Sequence, residues 1–532
     1  MLQKIKGDTV SYFIVFLCGF LTALPLVVDT LFLLPWFSLV PLFTIAGKKK
    51  SAYRHGLAFS MGYYLVVYHW FLYLYPLDFA GFDTIGSLLV IGVAWFGLSL
   101  LQGLGTAFVP VLYRSLTAKR HKLLAPFTAA ALWCVMEWAQ TLFWFGVPWA
   151  RLAVTQYSQT ALVQGASLFG SLGVSFLMVL VSGFLTLAFE TYRETHSVRQ
   201  PFALVAALLF AGNLIGGSLR LAIPTVKETF PVAAIQGNLA SGDKWADDSV
   251  KTSLQLYSDL TREAVSESGA KLVVWPETVL TTALNRNSTV KQALCDLAVE
   301  TGAYLAVGAF QAVTTDTATA QYNAIFLFQP DGQVQETVYQ KRHLVPFGEY
   351  LPMPSFFTTV LPFLGEINML DSSLSAGTSS NLFQTELGEI GGLVCFDSIY
   401  ETLTLASVRD GADLIVLATN DSWYKDSAAV YQHNGHAVLR AIESGRYLVR
   451  AANTGISAIL TPEGKIEASL PPLVTGYVTG EASCLSHRTP YSILGNWIVW
   501  LSVAYLLVLA FLKADDWIRL KRCPSASAPL QH

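Results

Sequence analysis

Long apolar runs constrain the fold of this sequence more than any other feature. A run of about 20 apolar residues has the length of a helix that crosses a lipid bilayer. Only 13% of the 532 residues are charged, against about 25% in an ordinary soluble domain. The sequence therefore predicts a polytopic α-helical membrane domain with about eight transmembrane helices, at residues 10–27, 30–46, 56–76, 84–112, 124–146, 165–190, 202–223 and 490–513.

Lysine and arginine are concentrated in every second connection between these runs, with Arg151 as the main exception. Basic connections stay in the cytoplasm. Both chain termini are therefore predicted to be cytoplasmic, and the large segment after the seventh run to lie outside. The first run has a basic start, as a signal peptide does, but a second run follows at once and no small-residue cleavage site is evident, so we interpret it as an uncleaved span. The basic connections are residues 4–6, 48–54, 114–122, 193–199 and 513–522.

The polar segment between the seventh and the last run has a different pattern. Short β-branched runs alternate there with helical stretches, which is typical of an α/β domain. The sequence thus predicts a membrane domain at 1–225, an α/β domain at 228–482, a last span at 488–514 and a cytoplasmic tail at 515–532. Strands are predicted at 231–235, 272–275, 304–309, 324–328, 390–395 and 414–418, and helices at 249–268 and 434–446.

Charge and cysteine content exclude several kinds of protein. The formal net charge is −3, whereas nucleic-acid binding requires clustered lysine and arginine. The cysteines have no CxxC spacing, so neither a disulfide framework nor a zinc site is predicted. A bridge between Cys295 and Cys484 stays open, and at least one thiol is expected to be free. The six cysteines are Cys18, Cys134, Cys295, Cys395, Cys484 and Cys523.

Three polar residues in the α/β segment suggest acyl-transfer chemistry. Glu277 follows a strand-like run that ends at Trp275, where a carboxylate with a raised pKa suits a general base. Lys341 could stabilise an oxyanion, and Cys395 could act as a nucleophile. Each has an ordinary alternative when taken alone: a solvated glutamate, a surface lysine and a buried cysteine.

The motifs around these residues resemble the carbon–nitrogen hydrolase, or nitrilase, superfamily. Over nearly the whole chain, the sequence is similar to the membrane-embedded branch of that superfamily, the apolipoprotein N-acyltransferase family. The resemblance implies an αββα sandwich outside the cytoplasm and a triad of Glu277, Lys341 and Cys395. It is carried by residues 146–149, 236–238, 244–245, 275–277, 341–350, 392–397, 420–423, 432–433 and 450–455.

The resemblance also implies a two-step reaction in the bacterial inner membrane. A phospholipid, typically phosphatidylethanolamine, would acylate Cys395, and the α-amino group of a lipoprotein's N-terminal diacylglyceryl-cysteine would then accept the chain. Glu277 would act as the base, and Lys341 with the backbone N–H of Phe396 would stabilise the oxyanion. No cofactor or metal is expected, because a thioester keeps the acyl group activated. We expect a monomer, with the lipid bilayer, the phospholipid and the lipoprotein as its partners.

Further residues are interpreted as positioning groups. Glu349 is expected to steady Lys341 or to gate access to the site. Trp245 and Trp423 would wall the lipid site, with ordinary packing as the alternative for both. Asp397 stands where the family commonly has glutamate, so its positioning role is left open.

Two other functions compete with acyl transfer. A membrane-anchored amidase would need one span, and a transporter would be expected to contain paired broken helices and internal repeats, which are not evident in the sequence. His433 and His436 lack a third ligand at metal spacing, so no zinc site is predicted. Residues 351–370 are apolar but interrupted by proline, and they are interpreted as a loop that dips into the membrane interface or packs on the domain.

Overall fold

The computed structural model describes most of the chain. Trp245, Cys523 and residues 361–370 of the predicted interfacial loop lie outside the described residues. The described ranges are 2–46, 50–78, 81–118, 120–199, 201–223, 228–240, 248–314, 318–360 and 374–522.

The N-terminal part is a bundle of helices. Within the described residues, five helical stretches of the chain are long and apolar enough to cross a membrane, by length and composition: Asp8–Leu26, Thr84–Thr117, Ala166–Thr195, Phe202–Ala222 and Trp497–Arg519. The helices before the α/β domain are α1 (Leu2–Ala23), α2 (Ala52–Val67), α3 (Thr84–Thr106), α4 (Phe108–Thr117), α5 (Leu124–Ala139), α6 (Thr160–Val163), α7 (Ala166–Thr195) and α8 (Phe202–Ala222).

The predicted span at 30–46 is not a continuous helix, and this corrects the expectation from hydropathy. Pro25 and Pro35 interrupt the region, because proline lacks the N–H of a helical hydrogen bond and clashes with the preceding turn. The segment is nevertheless packed into the bundle, where the buried Trp36 donates to Gln156 Oε1 at 2.9 Å. It consists of short 3-10 turns and one π turn, at Leu24–Leu26, Asp29–Leu31, Leu34–Trp36 and Leu42–Ala46.

Two other predicted spans are shorter as α-helices than the apolar runs that predicted them. The run at 56–76 is α-helical only as far as Val67, and α2 has 16 residues. The run at 124–146 corresponds to α5, which also has 16 residues and ends at Ala139. A helix of that length extends about 24 Å, below the roughly 30 Å of a bilayer core.

The α/β domain is built from two packed sheets. Its strands are β1 (Phe230–Gln236), β2 (Leu272–Val274), β3 (Leu280–Ala283), β4 (Tyr304–Thr314), β5 (Thr319–Phe328), β6 (Val334–Gln340), β7 (Phe383–Thr385), β8 (Gly388–Val394), β9 (Leu414–Thr419), β10 (Leu448–Ala452), β11 (Ser457–Leu460), β12 (Ile466–Leu470) and β13 (Gly476–Ala482). The first sheet has the strand order β13-β1-β2-β4-β5-β6, with β3 paired to β4. The second sheet has the strand order β12-β11-β10-β9-β8-β7.

Helices cover the outer faces of both sheets, which makes the domain an αββα sandwich. Along β1, Val232 and Ala234 face the core between the sheets, whereas Ala233 and Ile235 face the outer helical layer. Because both faces of such a strand are buried, its sequence is apolar at consecutive positions. The remaining helices are α9 (Ser249–Ser268), α10 (Ser288–Thr301), α11 (Pro354–Val360), α12 (Glu401–Asp410), α13 (Ala428–Ser444), α14 (Pro490–Leu494) and α15 (Trp497–Arg522).

The outer layer formed by α12 and α13 packs directly on the helical bundle. One buried apolar cluster includes Trp149 and Val154 of the bundle together with Val438 and Ile442 of α13. A Cβ atom at Gly435 would lie only 2.9 Å from the ring of a bundle tyrosine, so glycine allows the close approach. The bundle and the second sheet are therefore joined through a tightly packed helix.

Candidate active site

The three triad candidates each follow the carboxyl end of a strand. Glu277 lies three residues after β2, Lys341 directly follows β6, and Cys395 directly follows β8. Lys341 Nζ is 3.0 Å from Glu277 Oε1, and both side chains are nearly inaccessible to solvent. The structure thus brings together Glu277 and Lys341, which are 64 positions apart in the sequence, and both act electrostatically on Cys395.

Cys395 has a strained backbone conformation. Its φ is +47°, in the left-handed region that costs a residue other than glycine about 1–3 kcal/mol and tends to occur at functional sites. The strand β8 ends here, and the chain turns at once into the 3-10 turn Cys395–Ile399. This sharp turn leaves the cysteine half-buried at the end of the strand.

Electrostatics keep the thiol protonated at rest. Burial raises the pKa of Cys395, and Glu277 raises it further, while Lys341 lowers it; the result is well above the ordinary value. A thiol in this state is a weak nucleophile. Nucleophilic attack therefore requires a base that removes the proton as the new bond forms.

Two carboxylates share the ammonium group of Lys341. Glu349 Oε1 lies 2.8 Å from Nζ, and Glu277 Oε1 lies 3.0 Å from it. Burial by itself lowers the pKa of Lys341, but the two carboxylates outweigh burial and raise it well above the ordinary value. The lysine is therefore a permanent cation, suited to holding negative charge and not to removing protons.

Glu277 is held by several donors besides the lysine. Asn323 Nδ2 donates to Oε1 at 2.7 Å, and the backbone N–H of Asn420 donates to Oε2 at 3.0 Å. Gly308 lies against the backbone here, because a Cβ atom at that position would be 2.1 Å from the carbonyl oxygen of Pro276. The carboxylate is thus fixed in position and orientation.

Asp397 ties the cysteine turn to the segment that carries the lysine. It is fully buried, and its Oδ1 accepts from the backbone N–H groups of Arg342 (3.2 Å) and His343 (2.8 Å). Its Oδ2 accepts from the Tyr339 hydroxyl at 2.8 Å and from Val394 N–H at 3.1 Å. These bonds occupy both oxygens with groups of the protein, so the geometry suits a bracing role for this carboxylate.

Two of the three aromatic residues predicted at the site, Phe396 and Trp423, lie within the described residues. Phe396 is 7% exposed, and its ring packs edge-on against Tyr400 with centroids 5.6 Å apart. Trp423 is half-buried in the 3-10 turn that follows β9. Trp245 lies outside the described residues, so its predicted role stays a prediction.

Comparisons with known proteins identify the family of this chain. Family models match residues 231–483, described as carbon-nitrogen hydrolase, and residues 18–184, described as apolipoprotein N-acyltransferase N-terminal domain. An apolipoprotein N-acyltransferase of Geobacter metallireducens is 32% identical over 94% of this chain and 95% of that protein. The chain belongs to the apolipoprotein N-acyltransferase family. As a member of this family, it is an N-acyltransferase with a nitrilase-like domain.

The chain is also similar to a second bacterial relative and to a solved structure. A protein of the same name from Gloeobacter violaceus is 30% identical over 89% of this chain and 88% of that protein. A crystal structure of a Saccharomyces cerevisiae member of branch 10 of the nitrilase superfamily covers 49% of this chain and 92% of that chain, at 21% identity and a TM-score of 0.38.

Sequence reasoning missed several buried polar residues of this N-acyltransferase. Asn323 contacts both Glu277 and Glu349, yet it lies within β5, where nothing in the sequence distinguishes it. Asp421 and His433 lie beside Cys395, since their side chains offer ligand atoms within 4.8 Å of one another. Both lie within segments that carried the family resemblance, 420–423 and 432–433, and that resemblance is the signal that could have found them.

A thiolate, a carboxylate and an imidazole are ligands that zinc uses, and Cys395, Asp421 and His433 offer all three. The Asp421 carboxylate is already occupied, because Oδ1 contacts His433 Nδ1 at 2.7 Å and Oδ2 accepts from Arg450 at 2.6 Å. A guanidinium in that position repels a second cation. The donor set therefore does not fit a resident metal ion.

Among the described cysteines, Cys295 and Cys484 are free thiols.

Proposed function

We propose that this N-acyltransferase moves an acyl chain from a phospholipid, through a thioester on Cys395, to the α-amino group of a lipoprotein's N-terminal diacylglyceryl-cysteine. The observation that carries the proposal is a strained cysteine turn beside the buried Glu277–Lys341 pair, in a chain whose full-length relatives are named apolipoprotein N-acyltransferases. Phosphatidylethanolamine is the donor we propose.

In the first step, Cys395 Sγ attacks the ester carbonyl carbon of the phospholipid. Glu277 takes the thiol proton as the S–C bond forms, which the protonated resting thiol requires. Lys341 Nζ and the backbone N–H of Phe396 stabilise the oxyanion of the tetrahedral intermediate. The ester C–O bond then breaks, and Glu277 returns the proton to the departing lysophospholipid oxygen.

In the second step, the acceptor amine attacks the thioester carbonyl carbon. Glu277 removes a proton from the attacking nitrogen, and Lys341 again stabilises the oxyanion. The C–S bond breaks, an amide is formed, and the proton passes from Glu277 to the Cys395 thiolate. The starting thiol and carboxylate are regenerated, so no external co-reactant is consumed.

We assign supporting roles to four residues around this centre. Glu349 holds Lys341 in place through the 2.8 Å contact with Nζ. Asp397 braces the cysteine turn against the segment that follows Lys341. Trp423 contributes a wall of the lipid site, as does Trp245, which the sequence alone suggests.

For the membrane arrangement, we propose eight passes in the bacterial inner membrane, with the α/β domain on the periplasmic side and both termini in the cytoplasm. Residues 24–46 would make the second pass as irregular turns within the bundle. At one end of this segment, Gln432 of α13 donates to the Leu26 carbonyl at 3.3 Å. At its other end, Leu42–Ala46 packs on α2 and α4, next to a basic connection.

Contacts along α7 support this orientation. The backbone N–H of Ser171, near its start, donates to Glu443 of the α/β domain at 2.6 Å. Near its end, Glu194 pairs with Lys122 of a basic connection. The two positions are about 35 Å apart along the helix, close to the roughly 30 Å of a bilayer core. The basic connection that carries Lys122 therefore lies at the end of α7 farthest from Ser171 and its contact with the α/β domain, as expected of a cytoplasmic end.

The proposal is tested by the mass of the intact enzyme. Purified protein in detergent is incubated with phosphatidylethanolamine, and we expect one added acyl group that maps to Cys395 and is released by hydroxylamine. Cys395→Ala should show no adduct, and Cys484→Ala, which removes another half-buried thiol of the same domain, should acylate normally. Adding a synthetic diacylglyceryl-cysteine peptide should discharge the adduct as an N-acylated peptide.

An amidase would give a different result in the same experiment. It would show no lipid adduct and would hydrolyse small amides, with loss of that activity in Cys395→Ala. That outcome would refute acyl transfer from phospholipid. N-acylation of the peptide by Cys395→Ala would refute the thioester.

A further inference from the structure

A buried ion-pair network lies against the turn that carries Cys395. Arg450 Nη2 donates to Asp421 Oδ2 at 2.6 Å, and His433 Nδ1 lies 2.7 Å from Asp421 Oδ1. Thr419 Oγ1 donates to the same Oδ1 at 3.0 Å. All three ionisable side chains are at most 2% exposed. They come from β10, the loop after β9 and α13, so the network joins three separate elements.

The imidazole of this network contacts the backbone of the nucleophile. His433 Nε2 is 3.2 Å from the carbonyl oxygen of Cys395 and 3.0 Å from Ser398 Oγ. The Ser398 hydroxyl donates to that same carbonyl oxygen at 2.8 Å. A left-handed cysteine persists only where its surroundings hold it. His433 and Ser398 hold the carbonyl side of the residue.

The protonation state of Asp421 orients the ring. Burial alone would raise the pKa of Asp421, but Arg450 and His433 lower it to about 2, so the carboxylate is ionised and holds the ring through the 2.7 Å contact with Nδ1. The other ring nitrogen, Nε2, is thereby turned towards Ser398 and the Cys395 carbonyl. A carboxylate that fixes the orientation of a histidine is a recurring arrangement in enzyme sites.

The helical bundle contributes the ring that covers the imidazole. Trp149 stacks on His433 with centroids 5.5 Å apart and planes 30° apart. Its Nε1 donates to Gln432 Oε1 at 2.6 Å, and it is 2% exposed. The imidazole is therefore fixed at one edge by the carboxylate and on one face by an aromatic residue of the membrane part.

We propose that His433 is a positioning residue for the Cys395 thiol, held in place by Trp149 of the membrane bundle. This inference rests on the proposed role of Cys395 as the nucleophile. It gives the membrane part a direct influence on the chemistry, because a shift of the bundle relative to α13 moves the support of the cysteine turn. A displacement of about 1 Å at a reacting atom can cost roughly 100-fold in rate.

The test measures the rate at which Cys395 is acylated by phosphatidylethanolamine, followed by intact mass in single-turnover reactions. His433→Phe keeps a ring beneath Trp149 but cannot hydrogen-bond, and we expect about 100-fold slower acylation with an unchanged half-saturating lipid concentration. His433→Gln keeps a polar side chain that can hydrogen-bond to Ser398 or to the carbonyl, and it should recover part of the rate. His436→Gln is the control, because His436 is also buried against Trp149, and glutamine keeps a donor for the Trp149 carbonyl oxygen that His436 Nε2 contacts at 3.1 Å; it should react normally.

A second, smaller substitution guards against misfolding. Ser398→Ala removes the hydroxyl that joins the imidazole to the Cys395 carbonyl, and we expect it to slow both acylation and alkylation of Cys395 by iodoacetamide about 10-fold. Wild-type rates in His433→Phe or in Ser398→Ala would overturn the inference. Equal losses in His433→Phe and His436→Gln would overturn it too, since altered packing against Trp149 alone would explain them. Failure of the proposed function would be seen separately, because the Cys395→Ala enzyme would then still N-acylate the peptide.

Discussion

Replacing Arg151 with methionine tests how the bundle and the α/β domain are held together. Arg151 Nη1 lies 2.8 Å from Glu401 Oε2, and both side chains are 1% exposed. The same nitrogen donates to Ser171 Oγ at 2.8 Å. Methionine has a similar length and no charge, so the substitution removes the ion pair and leaves the Glu401 carboxylate buried.

The structure allows the size of this effect to be worked out. Removing one member of a buried ion pair costs about 3–5 kcal/mol, because the remaining charge is uncompensated. Glu401 would keep two partners, Arg440 at 3.9 Å and the side-chain amide of Asn496 at 3.2 Å, so we expect the lower end of that range, about 3 kcal/mol. In Arg151→Met/Glu401→Gln the orphaned charge is gone, and about 2 kcal/mol of the loss should be regained.

The assay is the free energy of unfolding by SDS in mixed micelles, followed by tryptophan fluorescence. Arg120→Met is the matched control, because Arg120 is also 2.8 Å from a carboxylate, that of Asp516, but this pair is exposed to solvent. An exposed pair contributes about 0–1 kcal/mol. Similar stabilities of Arg151→Met and Arg120→Met would refute the predicted effect of the buried ion pair, as would a double variant no more stable than Arg151→Met.

Three further predictions concern the active site. Glu349→Ala should slow acylation about 100-fold because Lys341 loses a holding partner, whereas Glu349→Gln, whose amide oxygen still accepts, should cost less than about 10-fold. Gly308→Ala should slow acylation about 100-fold, because the new Cβ would lie 2.9 Å from Glu277 Cα and displace the base. Burial raises the pKa of Asp421, but the neighbouring guanidinium and imidazole lower it from 3.8 to about 2. Its charge therefore contributes about 2 kcal/mol of stability above about pH 4, which is lost as the pH falls towards 2 and is absent in Asp421→Asn.

Each of these has a control or a contradicting result. Gly105→Ala adds a methyl group to an open position of α3, with nothing within 4 Å, and should acylate at the wild-type rate. Equal rates for Glu349→Gln and Glu349→Ala would contradict the holding role. A pH dependence of unfolding below about pH 4 that is the same in Asp421→Asn and wild type would contradict the ionised aspartate.

Local features of the sequence predicted much of the fold. The strands at 231–235 and 414–418 and the helix at 249–268 occur close to where the patterns indicated. Burial on both faces of a strand, or along one face of a helix, leaves a periodic record in the sequence itself. Polar residues that end such runs, Glu277 and Cys395 among them, stand out for the same reason.

Hydropathy was misleading where backbone geometry mattered. Residues 30–46 are apolar enough for a span, but prolines divide the region into short turns. Apolar composition reports only that a segment avoids water, whereas a continuous helix also requires an N–H at every position. In the structure, this segment avoids water by packing among the helices of the bundle.

The sequence by itself determined that the chain enters a membrane, that an α/β domain lies between its spans, and that Glu277, Lys341 and Cys395 are candidates for one site. Those conclusions follow from the length of apolar runs, from local periodicity and from motifs. Only the tertiary structure decided what surrounds the cysteine. His433, Asp421 and Trp149 lie in different elements, and their contacts form when α13 packs between the second sheet and the bundle. Contacts of that kind depend on how whole layers pack, which no local pattern records.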